Sequence, residues 1–127
     1  MLFRSVVLNA DATGYVMVLP LPGKVAQIHT NMASTLNIDW ILKLATDLAA
    51  DLDQTVLKAD LLTRIDRWLA VTKPGSLIYH PYISEAGERG PFVDPNARAS
   101  FIGLNGNHRF PDLVRAVSEG LGLAARD

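Results

Sequence analysis

The sequence contains no cysteine. That removes disulfide staples, thiolate metal sites and cysteine nucleophiles together. It has no apolar run of the ~18–20 residues that a membrane helix needs. Met1 to Ala10 lacks the long apolar stretch and small-residue cleavage site of a signal peptide. Charge of one sign is missing too: 12 basic side chains stand against 13 acidic ones, a formal net of −1. A strongly basic, phosphate-tracking nucleic-acid binder is thereby excluded, and so is an acidic solvating tail. No Gly-x-Ser-x-Gly elbow occurs, which argues against a small hydrolase. No Gly-x-x-x-x-Gly-Lys-Ser/Thr loop occurs, which argues against a P-loop.

What remains is 127 residues, 49% of them hydrophobic. That is enough for one domain with its own core, and the expected compartment is the cytoplasm. The first 30 residues read as a three-stranded antiparallel meander. Its strands are Arg4 to Leu8, Tyr15 to Leu19 and Lys24 to Thr30. The turn cluster Asn9 to Gly14 separates the first two, and Pro20 and Pro22 belong at a connection or an edge. Trp40, Ile41, Leu44, Ala45 and Leu48 then recur at helical spacing, with Thr35 or Asn37 placed to cap the helix. Asp39 and Lys43 stand one turn apart as a favourable ion pair. Leu57, Leu61, Leu62, Ile65, Trp68 and Leu69 predict a second helix, stopped by Lys73-Pro74-Gly75. A short strand over Ser76 to His80 follows. The irregular segment Pro81 to Ala99 comes next, then a strand over Ser100 to Leu104 and a helix over Pro111 to Ala125.

Candidate chemistry is sparse. His29, His80 and His108 are scattered, without a second ligand at metal-binding spacing. Gly120-Leu121-Gly122-Leu123-Ala124-Ala125 fits a dinucleotide pattern on paper but lies inside a helical stretch, which is the wrong context. Asp60 and Asp66 read as surface charge on a helix. The segment Ser84 to Arg98 mixes both charge signs with Gly and Pro, the mark of a shaped, ion-paired loop.

That loop carries a resemblance. Gly87-Glu88-Arg89-Gly90-Pro91-Phe92-Val93-Asp94-Pro95-Asn96-Ala97-Arg98 resembles the Gly-Glu-Arg-x-Pro-x-x-Asp-Pro-x-Ala-Arg stretch of the FGGY family of carbohydrate kinases. Phe101-Ile102-Gly103-Leu104 and Asp112-Leu113-Val114-Arg115-Ala116-Val117-Ser118-Glu119-Gly120 follow in the family's order. Ser118 departs from the large apolar residue usual there. Upstream, Ala33 to Trp40 resembles the segment that opens a helix after the family's strand meander. Tyr79 to Arg89 and Asn37 to Trp40 look most like the polyol-directed, erythritol-kinase-like branch.

The resemblance implies an α/β fold, part of an actin-like ATPase (ribonuclease H-like) domain. Residues 1–127 would form part of the C-terminal, nucleotide-binding domain of a two-domain kinase. Leu2-Phe3-Arg4-Ser5 matches what a sequencing-adapter end encodes in frame, which marks residues 1–5 as candidates for non-native sequence. The full-length enzyme would transfer the γ-phosphoryl of ATP, with Mg²⁺, to a sugar or polyol hydroxyl. The match implies that the sugar-binding domain, the aspartate base and a Gly-Thr phosphate loop lie upstream, and a glycine-rich adenine clasp downstream. No catalytic residue is therefore expected in this chain, and it should be inactive alone. Thr35, Asn37 and Asp39 are the implied nucleotide contacts; Glu88, Arg89, Asp94 and Arg98 would brace the loop and hinge, with Asp94 and Arg98 expected to pair. The competing expectation is a free-standing, non-catalytic α/β domain that binds a nucleotide or a partner. Incomplete surfaces also predict self-association.

Overall fold

The computed structural model describes residues 15–28, 33–89 and 92–126. The expected strand over Arg4 to Leu8 and the adapter-like residues lie outside this range, as do His29, Gly90 and Pro91. Two strands, β1 (Tyr15–Val18) and β2 (Val25–Ile28), pair antiparallel with Val18 opposite Val25. Of the expected meander, the second and third strands are seen, paired as a hairpin. Pro20 and Pro22 lie in its connection, where Leu19 N–H donates to the Lys24 carbonyl at 3.1 Å. Gly23, at φ 69°, supplies the left-handed backbone that closes the turn.

Helix α1 spans Leu36–Asp51. The single helix expected over residues 57–69 is instead two, α2 (Lys58–Leu62) and α3 (Ile65–Val71). The break has a local cause. Thr63 bonds its hydroxyl back to the Asp60 carbonyl at 2.7 Å, and Arg64 N–H reaches Leu61 O, three residues back, at 3.0 Å. Such back-bonding tightens and ends a helical turn. The kink lets Leu61 and Trp68 both face the core. Strands β3 (Ile78–His80) and β4 (Ser100–Ile102) pair antiparallel, Tyr79 opposite Phe101. Helix α4 (Phe110–Ala124) opens with Pro in its first turn, and the Asp112 carboxylate accepts from Arg109 N–H at 2.8 Å.

The core gathers where α1, α3, α4 and β3 meet. Ile41 and Leu42 of α1, Leu77 and Tyr79 around β3, and Val114 and Val117 of α4 are buried together. Each such aliphatic side chain stabilises the fold by roughly 1.5–3 kcal/mol. Trp68 meets Phe110 edge-on at 5.5 Å, and Tyr79 lies 4.7 Å from Phe101. Gly120 is the contact that lets α4 sit so close to β3: a Cβ there would stand 2.3 Å from the Tyr79 carbonyl oxygen. Ser118, the departure on α4, satisfies its hydroxyl on the Val114 carbonyl at 2.9 Å. Arg115 latches α4 to the end of α3. Its guanidinium donates to the Leu69 carbonyl, to Thr72 Oγ1 at 2.7 Å and to Glu119 Oε1 at 2.7 Å. Glu119 Oε2 accepts in turn from Gly75 N–H at 3.0 Å.

Candidate functional site at the start of helix α1

Thr35 holds the N-cap position of α1 but makes no side-chain capping bond. Thr35 is exposed, as are its neighbours Ser34 and Leu36. The capping expected of Asn37 is not made either. Asn37 lies within the first turn, fully buried, and turns inward. Its amide donates to the carbonyls of Ala33 at 3.3 Å, Ser34 at 3.1 Å and Pro81 at 3.2 Å. Its Oδ1 accepts from the Tyr79 hydroxyl at 2.8 Å. Burial pushes the Tyr79 hydroxyl up from 10.0 to about 12, because a phenolate there would lose its water.

Asp39 is half-buried at the same helix end. It does not pair with Lys43, as the spacing suggests; it accepts from Lys58 Nζ of α2 at 3.0 Å, and Lys43 turns to Asp47. A lysine arriving from another element outcompetes one on the same helix. Lys58 gave no signal in the sequence, because nothing local marks which surface lysine will fold back onto α1. The rim thus offers a hydroxyl, a carboxylate and an ammonium within one turn of a helix start. Such a set suits a sugar hydroxyl, which donates to the carboxylate, with the ammonium offsetting its charge. Among the described residues, no three His, Asp or Glu side chains converge to hold a metal ion. His80 meets Ser100 Oγ at 3.3 Å and His108 accepts from Asn105 N–H at 3.0 Å, both locally engaged.

The long loop leaves β3 at Pro81, where Asn37 holds it. Gly87, at φ 75°, makes the turn that lets Glu88 and Asp94 exchange two backbone hydrogen bonds of 2.9 Å. A Cβ on Gly87 would stand 2.2 Å from the Asp94 carbonyl oxygen. Glu88 is buried, with Oε1 accepting from Arg89 N–H at 2.8 Å, and Arg89 itself is exposed. The expected Asp94–Arg98 pair is not formed. Asp94 accepts from Asn96 N–H at 2.8 Å, while Arg98 donates to the carbonyls of Pro95 at 3.0 Å and Ala97 at 2.7 Å. The tight turn at Asp94-Pro95-Asn96 spends the carboxylate on backbone and leaves carbonyls, not a carboxylate, facing the guanidinium. Tyr82 clasps Phe92 across the loop at 5.1 Å. A shallow cleft of about 260 Å³, lined by Trp40, Tyr79, Tyr82, Arg98, Ser100 and Phe101, lies between α1 and the loop. The structure therefore brings Asn37 to the root of the loop and leaves Thr35 and Asp39 at the surface. Asp60 and Asp66 are exposed, as read.

Comparison with known proteins converges on one group. The chain is 58% identical over 120 residues to an erythritol kinase of Brucella abortus (strain 2308), covering 94% of this chain and 23% of that protein. It is 42% identical over 64 residues to a gluconokinase of Bacillus subtilis (strain 168), covering 49% of this chain and 12% of that protein. Among solved structures, a xyloylose kinase from Brucella ovis superimposes with a TM-score of 0.59 at 28% identity, over 84% of this chain and 20% of that one. The chain thus spans less than a quarter of the length of these relatives. With the C-terminal-domain model matching residues 6–127, the chain belongs to the FGGY family of carbohydrate kinases.

Proposed function

We propose that this chain is part of the nucleotide-binding domain of an ATP-dependent kinase for a small polyol, erythritol first among the candidates. The full-length enzyme moves the γ-phosphoryl of ATP, with Mg²⁺, onto a polyol hydroxyl in the cytoplasm. The carrying observation is the 58% identity to erythritol kinase across 94% of the chain. The actin-like, ribonuclease H-like core of such kinases is the finer fold reading. It is supported by the α/β architecture and the kinase structural neighbour.

Within that reading, Thr35 and Asp39 face the nucleotide, Asp39 toward a ribose hydroxyl. Glu88, Arg89, Asp94 and Arg98 shape the loop behind them. Phosphoryl transfer needs a base at the acceptor hydroxyl and aligned phosphate donors, with a metal bridging the phosphates. In this reading that machinery lies in other parts of the enzyme. No helix among the described residues is long and apolar enough to cross a membrane.

The test is an ATP-coupled assay of the full-length protein with erythritol, xylulose and gluconate as acceptors. Erythritol turnover is expected to be fastest. Turnover of xylulose without erythritol would reassign the substrate, and no turnover of any acceptor would sink the kinase reading. The 127-residue chain by itself is expected to phosphorylate none of them.

A further inference from the structure

Asn37 has no exposed surface, yet it carries one of the most polar side chains available. A buried amide is costly unless its donors and acceptor are matched. Here they are matched by two parts of the chain far apart in sequence. The Ala33 and Ser34 carbonyls belong to the turn that leads into α1. The Pro81 carbonyl and the Tyr79 hydroxyl belong to the end of β3, where the long loop begins. An apolar side chain of similar volume would fill the space and hold neither. Tyr79 is itself fixed. It packs at 4.7 Å on Phe101, and its ring stacks with Trp40 at 6.5 Å. Its carbonyl abuts Gly120. The side chain two residues beyond Asn37 is Asp39, and two before it is Thr35, the pair that reaches the surface.

We infer that Asn37 is a positioning residue for nucleotide use: it fixes the start of α1, and with it Thr35 and Asp39, against the root of the 81–98 loop. It acts through those residues and touches no substrate. This role rests on the kinase reading above, and it goes beyond that reading by assigning the sensitivity to one substrate only. Displacing a binding group by about 1 Å costs up to ~100-fold in rate even when the displaced residue does no chemistry.

The experiment is steady-state kinetics on the full-length kinase with three variants. Asn37→Leu is expected to lower kcat/KM for ATP by roughly ten- to a hundredfold, with KM for the polyol unmoved. Val117→Ala, a core truncation on α4, is expected to lower Tm without that ATP-specific loss. Asn37→Leu combined with Tyr79→Phe replaces the whole polar pair by apolar groups. That exchange removes the orphaned Tyr79 hydroxyl but does not restore the bonds to the Ala33 and Pro81 carbonyls, so it should recover part of the Tm, while kcat/KM for ATP stays low. Recovery of both in the double variant would show a merely structural role and overturn the inference. So would an unchanged kcat/KM for ATP in Asn37→Leu, while the kinase reading stood. If Asn37→Leu does not fold, Asn37→Ser is read by the same comparison of the two substrates. A wild-type protein with no kinase activity removes the kinase reading and this role with it.

Discussion

Gly120 and Gly122 sit two positions apart on α4 and answer to opposite physics. A Cβ at Gly120 would stand 2.3 Å from the Tyr79 carbonyl oxygen, whereas at Gly122 nothing lies within 4 Å. Gly120→Ala is therefore expected to destabilise by about 2–3 kcal/mol through overpacking, in spite of alanine's better helix propensity. Gly122→Ala, exposed, should stabilise by about 0.5–1 kcal/mol. Urea denaturation of both variants checks this, and equal effects would contradict the close α4–β3 contact. Neither role was legible in the sequence, where Gly120 ended the family-like helix motif and the two glycines together offered a dinucleotide pattern in the wrong place. Tyr79 makes a second prediction at this scale. Burial pushes its hydroxyl up from the ordinary 10.0 to about 12 in the folded chain. The protonated form is the one the fold favours, so its contribution is whole below pH 10.0 and is lost as pH rises towards 12. The stability gap between wild type and Tyr79→Phe should shrink over that range, and a constant gap would show that the hydroxyl is not shielded.

At the scale of elements, the sequence was most readable where periodicity is long. The apolar stripes of α1 and α4 predicted both helices and, on α4, the buried face of Val114 and Val117; on α1 Ile41 is buried, but Leu44 and Leu48 of the expected face lie exposed. It was least readable where a single side chain redirects the backbone. Thr63 splits one expected helix into α2 and α3 by bonding to the Asp60 carbonyl, which no apolar pattern reports. Partner choice was equally hidden: Asp39 went to Lys58, and Arg98 to carbonyls of its own turn. The candidate site was legible as a stretch, residues 35–39, but not in the direction each side chain takes. The joint between α3 and α4 depends on Arg115, which the motif contained and the sequence could not explain. Arg115→Met keeps much of the side chain's bulk but removes bonds to Leu69, Thr72 and Glu119. A loss of about 2–3 kcal/mol is expected for a charged group with several bonds. Faster hydrogen exchange confined to residues 69–75 and α4 would locate it, and uniform exchange across the chain would not fit a latch.

The whole molecule leaves much apolar surface in water. Between α1 and α4 runs a groove of about 540 Å³ lined by Leu44, Leu48, Leu52, Val56, Phe110 and Leu113. Leu48, on α1, and Leu52, just past its end, are 61% and 64% exposed, large apolar side chains left in water. Among the described residues, each of the two sheets pairs two strands. Val18, on β1, is 79% exposed. Two-stranded hairpins are marginal alone, and open edges template pairing with another chain. Balanced charge adds little repulsion to oppose contact, since the formal net is −1. The chain produced by itself is therefore expected to self-associate, with a mass that rises with concentration in sedimentation equilibrium. Placing charge in the groove separates its contribution from that of the sheet edges. Leu48→Lys with Leu52→Lys should shift the chain toward monomer while its helical circular dichroism is kept, because both side chains already face water. A shift of that kind assigns the association to the α1–α4 groove; unchanged association would assign it to the strand edges, and a wild-type monomer at every concentration would refute the prediction.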